Sequence, residues 1–123
     1  MSNDQLLDNL EMIAESMDLI AQRFKAIGEA EDFVKNSVGV GILDSVCMRL
    51  QIIGELTKKI DKMHPKLLNN YPDVEWPNIM KLRDIISHHY EQIDHEIIFD
   101  ICRNHIPLLK EMILKIMKDA KGG

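Results

Sequence analysis

Apolar residues fall along this chain in helical rows. Leu6, Leu10, Ile13, Met17, Ile20, Phe24 and Ile27 recur at spacings of four and three, which places them on one face of an α-helix. They predict a long first helix with Asn3 or Asp4 as its cap and Gly28 as its stop. Residues 29–37 read as a loop or short turn, with Phe33 docked back onto the core. A second long helix is expected from about Val40 to Met63, with Leu43, Val46, Leu50, Ile53 and Ile60 as its stripe. Gly54 in mid-helix either weakens the helix there or marks close contact with a neighbour, and His64-Pro65 ends the helix because the residue before proline avoids the α region.

After a connector, Pro77 suits the first turn of a third helix, expected over 77–90. Asp94 is placed to cap a last helix over about 95–119, carried by Ile97, Ile98, Ile101, Ile106, Leu109, Met112, Ile113 and Ile116. Pro107 lies inside that run and predicts a kink near 103–107. Together these segments predict an all-α fold, an antiparallel four- to five-helix bundle formed by one domain over 1–123 with a frayed tail from 120.

Composition narrows the function classes. Hydrophobic residues make up 46% and charged residues 28%, ordinary for a globular chain. Cys47 and Cys102 each sit in an apolar stretch with no second ligand at metal spacing, so neither a disulfide nor a metal centre is indicated. No signal segment and no membrane span are read from the sequence, which makes a cytoplasmic location the expectation.

Net charge is −5, unevenly spread. Residues 1–44 carry nine acids against three bases, and residues 45–123 eleven against twelve. Bulk attraction to nucleic acid is not expected. Between 49 and 83, however, seven bases outnumber four acids, which is either a local basic zone or simply a solvated face.

The chemistry concentrates in Arg83-Asp84-Ile85-Ile86-Ser87-His88-His89-Tyr90. At 100° per residue on one continuous helix, Ile79, Leu82, Ile85, Ile86 and His89 share the core face, and His89 reads as structural. Arg83, Asp84, Ser87 and His88 point the other way with Met80, and Tyr90 lies at the rim. Displayed charge beside an apolar Met suggests a surface meant to be covered. Arg-x4-His alone would arise by chance roughly 0.16 times in a chain with four Arg and five His. Adding Tyr two positions later lowers this to roughly 0.003, so only the full triplet is informative.

The pattern Arg83-x4-His88-x-Tyr90 resembles the signature of the HepT toxins of the HEPN superfamily of ribonucleases. The stretch Arg49-Leu-Gln-Ile-Ile-Gly-Glu55, then Tyr71-Pro72, Trp76, Asp94 and Leu108-Leu109 follow that family's order and spacing. The resemblance covers roughly residues 30–117. It implies a helical homodimer with two motifs facing across a composite cleft, and metal-independent endonuclease activity on RNA. It also implies an MntA-type nucleotidyltransferase antitoxin that transfers AMP to the motif tyrosine, here Tyr90, in a toxin–antitoxin pair. No cofactor is implied.

The residue types suit that chemistry. Histidine can move a proton near neutral pH, which gives His88 an acid/base role. Arginine's planar fork can stabilise charge building on phosphoryl oxygens, which gives Arg83 the phosphate. Asp84 departs from the family's more usual Asn. Four residues before His88, it could orient the imidazole and favour its charged form, or repel the incoming phosphate. Ser87 is a supporting candidate beside it.

Blander readings stand alongside. Arg83 and Asp84 could be a surface ion pair, Tyr90 an interface aromatic, and Asp84, His88 and His95 an incomplete metal set. A non-catalytic subunit that presents substrate to a nucleotidyltransferase, or a purely structural dimer module, would also fit such a bundle.

Overall fold

The computed structural model describes residues 2–88 and 94–122, with Ser2, Ser87 and His88 described by backbone alone. Among these residues there is no strand, and the expected all-α bundle is what forms. Its elements are α1 (Ser2–Phe24), α2 (Ser37–Met63), α3 (Trp76–Met80), α4 (Leu82–His88), α5 (His95–Asp100) and α6 (Ile106–Gly122), the last two joined by a π turn over Ile101–His105. Helix α1 packs against both α2 and α6, and α2 in turn carries α3 and α4. Leu10, Ile13 and Met17 of α1 meet Leu50 and Ile53 of α2 and Leu109 and Ile113 of α6 in one core, each at most 1% exposed. Each such side chain contributes about 1.5–3 kcal/mol by leaving water.

The start of α1 differs from expectation. Asn3 and Asp4 lie inside the helix instead of capping it, because the helix already runs from Ser2. It also ends at Phe24, four residues before Gly28, and a turn closed by the Ile27 amide on the Phe24 carbonyl (2.9 Å) still buries Ile27. The loop that follows contains a 3-10 turn, Ala30–Phe33, and Phe33 is fully buried as expected. Its ring lies 6.2 Å from that of Phe24, which in turn lies 5.3 Å from Phe99 of α5. Asp32 fastens the turn: its carboxylate sits 2.9 Å from Lys35 and accepts from the Gly28 and Glu29 amides at 2.8 and 3.1 Å. The lysine, then those two amides, hold the Asp32 carboxyl below its ordinary range.

Helix α2 starts three residues before the expected Val40. Asn36 is an N-cap that the apolar rows do not reveal, accepting from the Gly39 amide at 2.9 Å. Gly39 itself is required by packing, since a Cβ there would collide with the Asp32 carbonyl. At 27 residues α2 is long and apolar enough, by length and composition alone, to cross a membrane. In the fold it is the central element, covered by α1, α3, α4 and the 3-10 turn.

The expected third helix is broken. Lys81 closes α3 by donating its amide to Pro77 and Ile79 carbonyls, and α4 begins at the next residue. Pro77 does occupy the first turn of α3. The break limits the inward face of α4 to Leu82 and Ile86, buried at 4% and 2% exposure. Ile85, assigned to the core on a continuous wheel, is 42% exposed, and Met80, assigned outward, is partly buried against the core.

Asp94 caps α5 as expected, accepting from the amides of Glu96 (2.8 Å) and Ile97 (3.3 Å). Ile97, placed in the apolar stripe, is 50% exposed, so Ile98 carries the burial. The kink expected near Pro107 takes the form of the π turn, in which the Ile106 amide reaches back five residues to the Ile101 carbonyl. Widening the turn there relieves the clash between the proline ring and the carbonyl four residues earlier. Pro107 follows directly, as the second residue of α6.

Candidate functional site

The site is built on where α4 lies against α2. Gly54 permits it: a Cβ at that position would stand 2.9 Å from the Arg83 amide nitrogen and 3.0 Å from the Ile79 carbonyl oxygen. With no side chain at 54, the backbone of α4 rests directly on α2 and the position of Arg83 is fixed at its root. Leu82 and Ile86 on either side of it anchor α4 into the core.

Arg83 itself points outward, its side chain 51% exposed. Its Nε lies 3.6 Å from the Glu55 carboxylate and its Nη1 3.8 Å from the Asp84 carboxylate. The ion pair of the blander reading is therefore present, but at these distances and exposures it contributes little to stability. Asp84 and His88 both fall on α4 one turn apart, and His88 is the last described residue of that helix. The orientations of Ser87 and His88 lie outside the described side chains, and His89 and Tyr90 lie outside the described residues altogether. The structure thus brings Arg83 and Asp84 together on one outward face and leaves the core assignment of His89 and the placement of Tyr90 without a description.

His95 does not join Asp84. Its Nε2 is 2.9 Å from Glu31 on the 3-10 turn, with Glu96 close by, so this pair ties the start of α5 to the turn that buries Phe33.

Two residues singled out with the motif prove structural. Tyr71 (8% exposed) donates to Asp119 of α6 at 2.6 Å, and the Trp76 indole (5% exposed) donates to the Tyr71 carbonyl at 2.9 Å. Burial, with the Asp119 hydrogen bond second, pushes the Tyr71 phenol up to about 12. These contacts tie the connector before α3 to the end of α6. Cys47 and Cys102 are buried free thiols, each pushed up to about 12 chiefly by burial, and so unsuited to nucleophilic chemistry.

Two grooves flank α4. One, of about 490 Å³, has Glu55, Lys58, Lys59 and Lys62 of α2 facing Arg83. The other, of about 530 Å³, is more apolar and includes Leu82, Ile85, Ile101 and Leu108. The sequence pointed to neither Glu55 as a partner of Arg83 nor the convergence of the three lysines on it. The signals available were the excess of bases between 49 and 83 and Gly54 beside Glu55, which marks where another helix comes close.

The described residues form an all-helical bundle that displays Arg83 and carries His88 on the same helix, and comparison with known proteins gives its class. The family described as ribonuclease HepT-like matches residues 6–116, and the chain belongs to that family. It is 38% identical over 78 residues to a protein of Methanocaldococcus jannaschii named as a candidate RNase, covering 63% of this chain and 62% of that one. A second protein of that organism, named as a gamma-glutamylcyclotransferase and candidate RNase, is 33% identical over 89% of this chain and 46% of its own length. The chain therefore spans about half to three fifths of these two relatives. A Thermococcus cleftensis protein, named provisionally as ribonuclease HepT, is 31% identical over 90% of this chain and 94% of its own. No solved structure matches the chain.

Proposed function

We propose that this protein is a metal-independent endoribonuclease, the toxin of a type VII toxin–antitoxin pair acting in the cytoplasm. The observation that carries the reading is the outward Arg83 on α4, pinned through Gly54, with His88 on the same short helix of a chain that belongs to the HepT-like ribonuclease family. In the reaction His88 takes the proton of an RNA 2′-hydroxyl and the 2′ oxygen attacks the adjacent phosphorus. The bond from phosphorus to the 5′ oxygen breaks, and that oxygen takes a proton from water as it leaves. The product strand ends in a 2′,3′-cyclic phosphate. Arg83 stabilises the extra negative charge on the phosphoryl oxygens. Asp84 is a supporting residue, one turn from His88 on the same helix.

A second copy of the chain completes the cleft. Ile85 and Leu108, exposed at 42% and 39% and sharing the apolar groove beside α4, support a covered face at that position. An MntA-type nucleotidyltransferase is the antitoxin, and AMP on Tyr90 is the block. Such a modification would set a phosphate and a nucleoside over Arg83 and His88.

One observation favours a second reading, that of a non-catalytic subunit presenting substrate to a nucleotidyltransferase: both near neighbours of the Arg83 guanidinium are carboxylates, Glu55 and Asp84. Incubation of pure protein with RNA in EDTA separates the two. The nuclease reading expects fragments with cyclic or 3′-phosphate ends and a loss of about 10²–10³ in rate for Arg83→Ala. It expects a loss at least as large for His88→Ala. Wild type and His88→Ala that are equally inert, or equally active, would overturn the catalytic assignment.

A further inference from the structure

We infer that the face of α2 beside Arg83 is the track along which the RNA strand enters, and that Glu55 is the anion Arg83 releases when a phosphate arrives. The identity of the strand as RNA rests on the ribonuclease reading above; the track itself rests on the groove. Glu55, Lys58, Lys59 and Lys62 stand at i, i+3, i+4 and i+7 on α2, within about 100° of arc. Together with Arg83 they give the groove four cations against one carboxylate. All three lysines are exposed, and among the described residues none of them is in an ion pair. Asp61, the other acid in this part of α2, lies off the arc and lines a different groove.

A row of lysines is often only a solvated face. Here a guanidinium from a different helix converges on it, held there by the Gly54 contact. The row runs about 10 Å along α2, enough for more than one phosphate, and it leads directly to the residue assigned to the reacting phosphate. Such an array concentrates a polyanion and gives it direction. Arg83 already has carboxylates beside it, Glu55 of the groove 3.6 Å from Nε and Asp84 3.8 Å from Nη1, with the Arg83 and Glu55 side chains both at least half exposed. A contact of that kind is readily exchanged.

The test measures binding of a 2′-O-methylated single-stranded RNA, which the proposed chemistry cannot cleave, by fluorescence anisotropy across a range of salt, alongside cleavage of ordinary RNA. Lys59→Ala/Lys62→Ala should bind more weakly and lower the slope of log K against log salt by about 1.4, at roughly 0.7 per phosphate contact. Lys59→Arg/Lys62→Arg should restore both, which separates lost charge from lost folding. Glu55→Gln should bind about two- to fivefold more tightly at low salt.

If the alanine pair keeps wild-type affinity, slope and cleavage rate, the track is wrong while the ribonuclease reading stands. Lysine-dependent binding by a wild type that cleaves nothing would keep the track and remove the nuclease. Wild type that does not bind the oligonucleotide overturns the track, and unchanged binding by Glu55→Gln overturns the exchange.

Discussion

Tyr71 illustrates how much a single residue can carry away from the chemistry. Its hydroxyl donates to Asp119 while its carbonyl receives the Trp76 indole, so one side chain and one peptide group join the connector before α3 to the end of α6. Because the phenol is pushed up to about 12 in the fold, the unfolded chain loses this proton first as pH rises. The stability Tyr71 contributes is therefore complete below the ordinary tyrosine value near 10 and is lost as pH climbs towards 12. Tyr71→Phe should cost about 1 kcal/mol at pH 7. In urea unfolding from pH 7 to 11, the gap between wild type and variant should stay constant up to about 10 and then narrow. A gap that widens above 10 would mean that the phenolate, not the phenol, is the form the fold accepts. A tyrosine followed by proline reads equally well as a turn, and Asp119 is 48 residues away, so the pairing was not legible locally.

At the scale of elements, helix length and apolar rows were well specified by sequence, while helix ends and phase were not. The row from Leu6 to Ile27, apart from a partly buried Phe24, and the stripe of α2 are buried as the spacing predicts. What spacing misses is chemistry at the ends: Asn36 starts α2 early, and Lys81 divides α3 from α4 with no proline or glycine to announce it. That division explains why Ile85 was assigned to the core and Met80 to the surface. The candidate site was legible because Arg83 and the residues after it form an improbable triplet. Its inner support was legible only as an oddly placed glycine. Gly54→Ala should test that support. In an isolated helix alanine gains about 1 kcal/mol over glycine, but here its Cβ meets the Arg83 nitrogen of α4 at 2.9 Å and the Ile79 carbonyl of α3 at 3.0 Å. The expected outcome in thermal unfolding is a net loss of about 1–2 kcal/mol, with slower RNA cleavage as Arg83 is displaced. A rise in melting temperature would show that α4 yields easily and that Arg83 is not held by this contact.

For the whole molecule, the proposed dimer places its demand on the apolar groove beside α4. Ile85 is more than half buried in the single chain, so Ile85→Asp should cost the monomer about 1–2 kcal/mol in thermal unfolding and leave it folded. In sedimentation equilibrium it should shift the dimer towards monomer, and cleavage should fall with it. A dimer that persists at wild-type strength would move the second copy to another face. The π turn over Ile101–His105 has a different kind of consequence at this scale. Ile98, Cys102 and Ile106 are all buried at successive spacings of four, a run that drifts about 40° per step on a regular α-helix. The wider turn absorbs that drift and stores one residue of surplus length. Losing a residue between 101 and 105 could be taken up by tightening the turn, whereas losing one within α6 would swing its buried row by about 100°. Within the run from α5 to α6, the turn just before the last helix is thus a place where length can change without rewriting which residues face inward.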